Sequence, residues 1–186
     1  MRKNFGSQSW LYPMPVLMVA TYDKDGNPDL MNAAWGGMHD TNMIGVCIDP
    51  SHKTAENIQL TKSFTVSIGD SSHIIECDFA GIVSANDDPE KFAKTGFHAE
   101  KSAFVNAPII RELPMTLECR LVSYDTSAGC AVGEIVNVSA DESILDADGK
   151  IDPDKFTPIC YDPVHHTYRE LGKVVGKAFS DGRKLK

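Results

Sequence analysis

Short apolar segments separated by turn signals constrain this chain more than any other feature. The clearest segment is 63–68, where Phe64, Val66 and Ile68 alternate with hydroxyl-bearing residues. Alternation with period two predicts a β-strand with one apolar face. Asp25-Gly26-Asn27-Pro28 is a turn signal that joins the first two apolar segments into a hairpin. The other predicted strands are 16–22, 30–35, 43–48, 115–124 and 130–138, with a small hairpin over 144–151.

Helix signals are fewer and shorter. Residues 88–92 begin with Asp88 as a helix N-cap and Pro89 at the first helical position. The apolar residues of 168–178 recur at helical spacing. Helices are also predicted over 51–60, after Pro50, and over 73–79. Six strands with short helices between them predict a mainly β protein, a closed antiparallel β-barrel with the helices packed outside.

Size and charge narrow the class of protein. The chain has 186 residues, which suits one domain over 1–186 and a core that needs no metal or disulfide. With 42% hydrophobic and 24% charged residues it is typical of a globular protein, which excludes collagen and coiled coil. A net charge of −8 argues against a broad nucleic-acid-binding face. No apolar run approaches the ~20 residues of a membrane span, so no membrane is expected and the predicted location is cytoplasmic.

The usual catalytic and metal motifs are absent from the sequence. It contains no G-x-S-x-G, H-E-x-x-H, G-K-[ST] or G-x-G-x-x-G motif. The five cysteines include no C-x-x-C pair and are expected to be reduced, partly buried thiols. Residues 146–149 are similar to part of a calcium-binding loop, but the apolar Ile144 stands at its first ligand position. No metal site is therefore expected.

The segment 49–57 is the first candidate binding element. It lies between a predicted strand and a predicted helix, whose N-terminus carries unpaired N–H groups and partial positive charge. Ser51 and Thr54 add hydroxyl groups there, and Lys53 adds a full positive charge. This combination is typical of a phosphate-binding site. A capped helix with one exposed lysine explains the same residues.

The segment 31–37 is the second candidate. Asn32 at a strand end can hydrogen-bond a polar ring edge, and the small Ala33 and Ala34 leave the backbone accessible to a flat heterocycle. Trp35 can stack on such a ring. The alternative is a strand that ends in a glycine turn with a core tryptophan. A phosphate site and a ring site on neighbouring strands together favour a phosphorylated aromatic cofactor.

The order and spacing of several segments resemble one family along nearly the whole chain. The chain resembles the flavin reductase-like, FMN-binding split-barrel family, and within it the flavoredoxin branch. The segments that carry the resemblance are Tyr12-Pro13-Met14-Pro15, Asn32 to Gly37, Ser51 to Asn57, Asp78 to Ser84, Glu90-Lys91-Phe92 and Gly172 to Phe179.

The resemblance implies a Greek-key split β-barrel that forms a homodimer and binds FMN near the subunit interface. It places Asn32, Ala33, Ala34 and Trp35 at the isoalloxazine. It assigns the phosphate to Ser51, Lys53 and Thr54, with His52 adjacent and Lys91 near the flavin. Residues 84–89 depart from the Ser-Gly that is common among relatives.

The function that the resemblance implies is an oxidoreductase. FMN would pass electrons from NAD(P)H, or from a redox partner protein, to an acceptor, with no catalytic side chain because the cofactor supplies the chemistry. Three alternatives stay open. They are an electron carrier without NAD(P)H turnover, an oxidase of a phosphorylated vitamin, and a non-catalytic β-barrel binding module.

Overall fold

The computed structural model describes residues 1–185. Every strand pair in it is antiparallel. The strands are β1 (Met14–Pro15), β2 (Leu17–Tyr22), β3 (Pro28–Ala33), β4 (Gly36–Asp40), β5 (Met43–Cys47), β6 (Ser63–Ile68), β7 (Ala99–Lys101), β8 (Pro108–Ile110), β9 (Met115–Asp125), β10 (Cys130–Ala140), β11 (Ile159–Asp162) and β12 (Thr167–Glu170). The helices are α1 (Lys53–Thr61), α2 (Ile74–Ile82), α3 (Lys91–Thr95) and α4 (Pro153–Phe156), with three short 3₁₀ turns.

Seven strands form the main sheet, in the order β3-β2-β6-β9-β10-β5-β4. The connection from β5 through α1 to β6 passes over β9 and β10, which makes the topology a Greek key rather than an up-and-down meander. The two edge strands, β3 and β4, are consecutive in the chain. Only Ala34 and Trp35 separate them, so the Cα atoms of Ala33 and Gly36 lie within about 11 Å of each other. The sheet must therefore curl until its edges meet, and the barrel is split there.

Strand β2 is buried on both faces because a core packs against each side of it. Leu17 and Val19 belong to the core inside the barrel, which α1 covers and which includes Phe64 and Val66. Val16, Met18 and Ala20 belong to a second core with α2, β8 and β11. This arrangement explains why β2 is continuously apolar over 17–20 rather than alternating.

The strand predictions are largely confirmed. All six predicted strands are present, most of them with ends within two residues of the prediction. Of the predicted hairpin over 144–151 the structure retains a single bridge between Leu145 and Ile151. The prediction missed β1, β4, β7, β8, β11 and β12, which have two to five residues each and too little sequence for a periodic signal.

Two helix predictions need correction. Over 88–92 the helix begins only at Lys91, because Asp88 accepts a hydrogen bond from the Glu90 backbone N–H and holds residues 88–90 in a turn. The helix predicted over 168–178 does not form. Residues 167–170 pair with β11 instead, and the segment after them is exposed, with Val175 91% exposed. Two glycines and adjacent valines disfavour an isolated helix that has nothing to pack against.

No helix within residues 1–185 is long and apolar enough to cross a membrane.

The five cysteines are free thiols, and the expected strand positions of Cys47 and Cys119 are confirmed. Cys119 is buried as expected, whereas Cys47 is exposed, which corrects the prediction of partial burial for that residue.

Candidate functional site

Three adjacent cavities lie beside the split between β3 and β4. The first has a volume of about 110 Å³, the middle one about 210 Å³ and the third about 520 Å³. Gly81 and Ile82 of α2 line both the first and the middle cavity, and Ala34 lines both the middle and the third. Because they share walls, the three cavities form one elongated cleft.

The first cavity contains the N-terminus of α1. His52 occupies the N-cap position in an extended conformation, and its side chain makes no capping hydrogen bond. The partial positive charge of the helix end therefore stays available to a ligand. His52, Lys53 and Thr54 all line this cavity, and the Lys53 Nζ lies 3.0 Å from the Glu56 Oε2.

Lys91 reaches the same cavity from α3. Only 3% of the residue is exposed, and its Nζ lies 3.9 Å from the Oδ1 of the buried Asp29. Burial lowers the pKa of Lys91 because it disfavours the charged form, while the Asp29 carboxylate opposes that shift. The structure thus brings Lys91 to the predicted phosphate segment, although about forty residues separate them.

Asp29 organises this end of the cleft. The Thr54 hydroxyl donates a hydrogen bond of 2.6 Å to the Asp29 Oδ2, and both residues are buried. The Asp29 Oδ1 is buried without a hydrogen-bond partner among the described residues. Sequence analysis missed Asp29 because it follows the turn over 25–28, and the available signal was a carboxylate beside the apolar pair Leu30 and Met31 at the start of the strand.

Ser51 is exposed and lies just before the residues that line the first cavity. Its hydroxyl donates to the Asp49 Oδ1 at 2.6 Å, and its carbonyl oxygen accepts a hydrogen bond of 2.9 Å from the Asn86 side chain. That contact fastens the 84–89 loop to the helix N-terminus. Ser84 and Ala85 of the same loop complete the cavity wall.

The middle cavity carries the predicted ring-edge residue. The Asn32 side chain donates a hydrogen bond of 3.1 Å to the carbonyl of Cys77 in α2, which fixes its orientation. Gly81 packs against it, and a Cβ built at Gly81 would lie 3.1 Å from the Asn32 Cβ. The absence of a side chain at 81 therefore keeps this part of the cleft open.

Tyr168 and Asp78 face Asn32 across the middle cavity. The Tyr168 hydroxyl donates a hydrogen bond of 2.7 Å to the Asp78 Oδ1. Burial and the Asp78 carboxylate raise the pKa of Tyr168 above its ordinary value, because both disfavour the phenolate. Tyr168 fell within the incorrectly predicted tail helix, so sequence analysis did not place it here.

The third cavity lies between two tryptophans. Trp35 is 59% exposed and lines this cavity together with Trp10 and Ala34. The interpretation of Trp35 as a core tryptophan is therefore wrong. Ala33, by contrast, pairs with Leu17 and is buried in the barrel core, so its side chain lies away from the cleft.

A cluster around Asp162 fixes the N-terminal segment that forms one wall of the third cavity. The Asp162 carboxylate accepts hydrogen bonds from the Tyr12 hydroxyl and from His165 and Arg169. These partners hold the pKa of Asp162 well below its usual range, because the Tyr12 hydroxyl and the other donors stabilise the carboxylate. Pairing of β1 with β11 adds to this attachment.

The fold and the cleft define a split-barrel protein with an elongated ligand site at the opening of the barrel. The family model "Flavin reductase like domain" matches residues 9–166. The chain belongs to this flavin reductase-like family, as the sequence resemblance indicated.

Solved structures refine this placement. Flavoredoxin of Desulfovibrio vulgaris (Miyazaki F) is 34% identical with a TM-score of 0.93, over 98% of this chain and 100% of that one. Flavoredoxin from Methanosarcina acetivorans is 28% identical with a TM-score of 0.90, over the full length of both chains. An FMN-binding domain of a flavin reductase-like enzyme from Shewanella baltica OS155 shares the fold, at 19% identity, a TM-score of 0.78 and 88% coverage of each chain. The resemblance to the flavoredoxin branch and the mainly β split-barrel fold are confirmed.

The residues present fit a flavin nucleotide. One end of the cleft carries two lysines and an uncapped helix N-terminus, which suit an anion. The other end carries Trp35 and the space left by Gly81, which suit a flat ring. The candidate site is thus consistent with the flavoprotein redox function that the family and its flavoredoxin members indicate.

Proposed function

We propose that this protein binds FMN in the elongated cleft, with the phosphate in the first cavity and the isoalloxazine in the middle and third cavities. The observation that carries the proposal is the shared lining: Gly81 and Ala34 connect the lysine end of the cleft to the tryptophan end. The predicted phosphate segment 49–57 and ring segment 31–37 thereby line one cleft of suitable shape and charge.

The phosphate end would work by charge and by backbone donors. Lys53 and Lys91 would supply the positive charge, and the free N–H groups after His52 would donate hydrogen bonds. The Thr54 hydroxyl proton is directed to Asp29, so Thr54 would act mainly through its backbone and through its hold on Asp29. Ser51 would serve by fixing the 84–89 loop through Asn86.

The ring end would orient and shield the flavin. Asn32, held by Cys77, would present its amide to the polar ring edge, and the backbone of Ala33 and Ala34 would lie alongside. Trp35 would cover the ring at the third cavity and exclude water there. The Tyr168 hydroxyl proton is directed to Asp78, so Tyr168 would offer its hydroxyl oxygen as an acceptor beside the ring.

FMN, when bound, would accept electrons and pass them to an acceptor, and the protein would supply binding, orientation and hydrogen bonds. We propose an NAD(P)H-dependent flavin reductase-like oxidoreductase as the activity. The second candidate is an FMN electron carrier that exchanges electrons with a redox partner protein. The high structural similarity to two flavoredoxins supports this candidate.

An absorbance titration tests the proposed function. The purified protein, with FMN added under anaerobic conditions, is expected to show a bound-flavin spectrum. Bleaching by NADH or NADPH would support the reductase, and bleaching only by an artificial reductant would support the carrier. Failure to bind FMN at micromolar concentrations would overturn both and favour the non-catalytic β-barrel module.

We also propose that the protein acts as a homodimer. Apolar residues at both ends of the chain are exposed, including Leu11, Val174 and Val175, and two-fold dimers are the commonest soluble assemblies. Light scattering is expected to give twice the 20.3 kDa chain mass. A value near the chain mass at micromolar protein would contradict this proposal.

The cytoplasmic location stays a prediction from the sequence.

A further inference from the structure

Cys47 and Cys130 lie directly opposite each other on neighbouring strands. They are register partners in the antiparallel pair of β5 and β10, with no register shift along that ladder. The Ile48 N–H donates to the Gly129 carbonyl one pair further on, and the Cys47 N–H donates to the Trp35 carbonyl on the other side. Cys47 and Cys130 therefore form a non-hydrogen-bonded pair, in which opposing side chains are closest.

Both thiols lie on the outer face of the sheet. Their neighbours Val46 and Ala131 are buried inside the barrel, and side chains alternate between the two faces of a strand. Cys47 is exposed and Cys130 half-buried, so a small reagent can reach the pair. By contrast, burial raises the pKa values of the Cys77 and Cys119 thiols to about 12 and leaves them inaccessible.

We propose that Cys47 and Cys130 form a reversible thiol–disulfide site that reacts with small-molecule disulfides. One cysteine sulfur attacks the small disulfide, whose S–S bond breaks and releases one thiol. The other cysteine then attacks the mixed disulfide and releases the second thiol. The protein loses two electrons and two protons as its S–S bond forms, and the small disulfide gains both to become two thiols.

The two thiols also interact. The neighbouring Cys130 thiol, together with burial, raises the pKa of Cys47 to about 11. Whichever sulfur attacks first, the other lies directly opposite it and resolves the mixed disulfide.

Strand geometry also makes the bond easy to reduce. Cβ atoms of directly opposite residues lie about 4.5–5.5 Å apart, with non-hydrogen-bonded pairs at the short end, whereas a relaxed disulfide has a mean of about 3.8 Å. Closing the bond therefore draws the strands together, and strained, exposed disulfides are the readily reversed ones. The Cys47 backbone N–H donates to the Trp35 carbonyl, and Trp35 lines the third cavity. The disulfide would therefore form beside that cavity.

Mass spectrometry of the full chain tests this proposal without reference to flavin. Hydroxyethyl disulfide is added at neutral pH, and the products are mapped by non-reducing digestion. The wild type is expected to lose two hydrogens and yield a Cys47–Cys130 peptide within one chain, and dithiothreitol is expected to reverse the change. The Cys47→Ser variant is expected to stop at a mixed disulfide on Cys130, which the wild type does not accumulate because its second thiol resolves it.

Cys160→Ser is the matched control, because Cys160 is another half-buried thiol but has no cysteine opposite it. This variant is expected to form the Cys47–Cys130 bond like the wild type. A wild type that accumulates stable mixed disulfides, or that links two chains through these cysteines, would overturn the proposal. So would a wild type in which neither Cys47 nor Cys130 reacts while Cys160 does.

Discussion

Lys91 and Asp29 form a buried, oppositely charged pair, with 3.9 Å between the Lys91 Nζ and the Asp29 Oδ1. The same carboxylate binds the Thr54 hydroxyl, so it links α3 to the N-terminus of α1 across β3. A cation in this position is costly to bury alone, and the carboxylate offsets that cost. The Asp29 carboxylate therefore favours the charged form of Lys91 beside the cleft.

Replacing Asp29 by alanine is expected to destabilise the protein by about 2–3 kcal/mol, because Thr54 loses a charged acceptor and Lys91 loses its counter-ion. Urea denaturation measures the change in the free energy of unfolding. Asp25→Ala is the control, since Asp25 pairs only with Lys24 at the exposed turn and should cost less than about 1 kcal/mol. Equal losses in the two variants would contradict a structural role for Asp29.

Removing Lys53 is expected to weaken FMN binding about ten- to a hundred-fold while leaving riboflavin binding nearly unchanged. Hydrogen bonds to charged groups contribute about 1.5–3 kcal/mol, and riboflavin lacks the phosphate. Four titrations measure this, with wild type and Lys53→Ala each binding FMN and riboflavin. Lys150→Ala removes an exposed lysine that lines none of the three cavities and should not change either affinity. An equal loss for both ligands would assign Lys53 to the fold or to the ring end.

Lys91 is expected to make FMN affinity fall at high pH. Its charged form attracts the phosphate, so its contribution is present below its pKa and is lost as the pH rises through that value. Because burial lowers this pKa from 10.5, the loss should begin at a lower pH than for an exposed lysine. FMN titrations from pH 7 upward should show a smaller alkaline loss in Lys91→Met than in wild type. Lys94→Met, an exposed lysine on the same helix, should keep the wild-type profile.

Trp35 is expected to contact the flavin ring, so bound FMN should quench its fluorescence. Trp10 lines the same cavity, and the measurement is therefore made in a Trp10→Phe background that leaves Trp35 as the emitter. Trp35→Ala is expected to weaken FMN and riboflavin binding by a similar factor and to leave the melting temperature nearly unchanged, because the side chain is exposed. Unquenched Trp35 emission in the FMN complex would contradict this placement.

A side chain at position 81 is expected to disturb the ring end of the cleft. The first added carbon would lie 3.1 Å from the Asn32 Cβ, and the larger Gly81→Val change should push Asn32 off its bond to Cys77. FMN and riboflavin affinity should then fall by the same factor, unlike in Lys53→Ala. Gly172→Ala adds a methyl group in open space and should leave both affinities unchanged. A loss of FMN affinity with riboflavin affinity unchanged would contradict the assignment of Gly81 to the ring end of the cleft.

Local sequence signals determined the parts of the fold that depend on neighbours along the chain. The alternation in 63–68 and the turn over 25–28 were sufficient to place β6 and the first hairpin, because strand faces and tight turns follow from the side chains present. The sequence also predicted the N-terminus of α1 with Lys53, because the end of the strand, the start of the helix and the charged residue are neighbours along the chain. The helix predicted over 168–178 was wrong because the residues have helical spacing but no surface to pack against that would stabilise a helix.

Which distant residues share the cleft depends on the long-range packing of the sheet and helices. Lys91, Asp29 and Thr54 belong to three separate elements, and no spacing in the chain predicts that the curled sheet brings them together. The exposure of Trp35 was equally undetermined, because a tryptophan after a strand packs inward or outward according to where the sheet edges meet. Strands, turns and the types of residue available for binding follow from the local sequence. The long-range strand pairing decided their arrangement, since ladder hydrogen bonds and core burial are contacts between residues far apart in the chain.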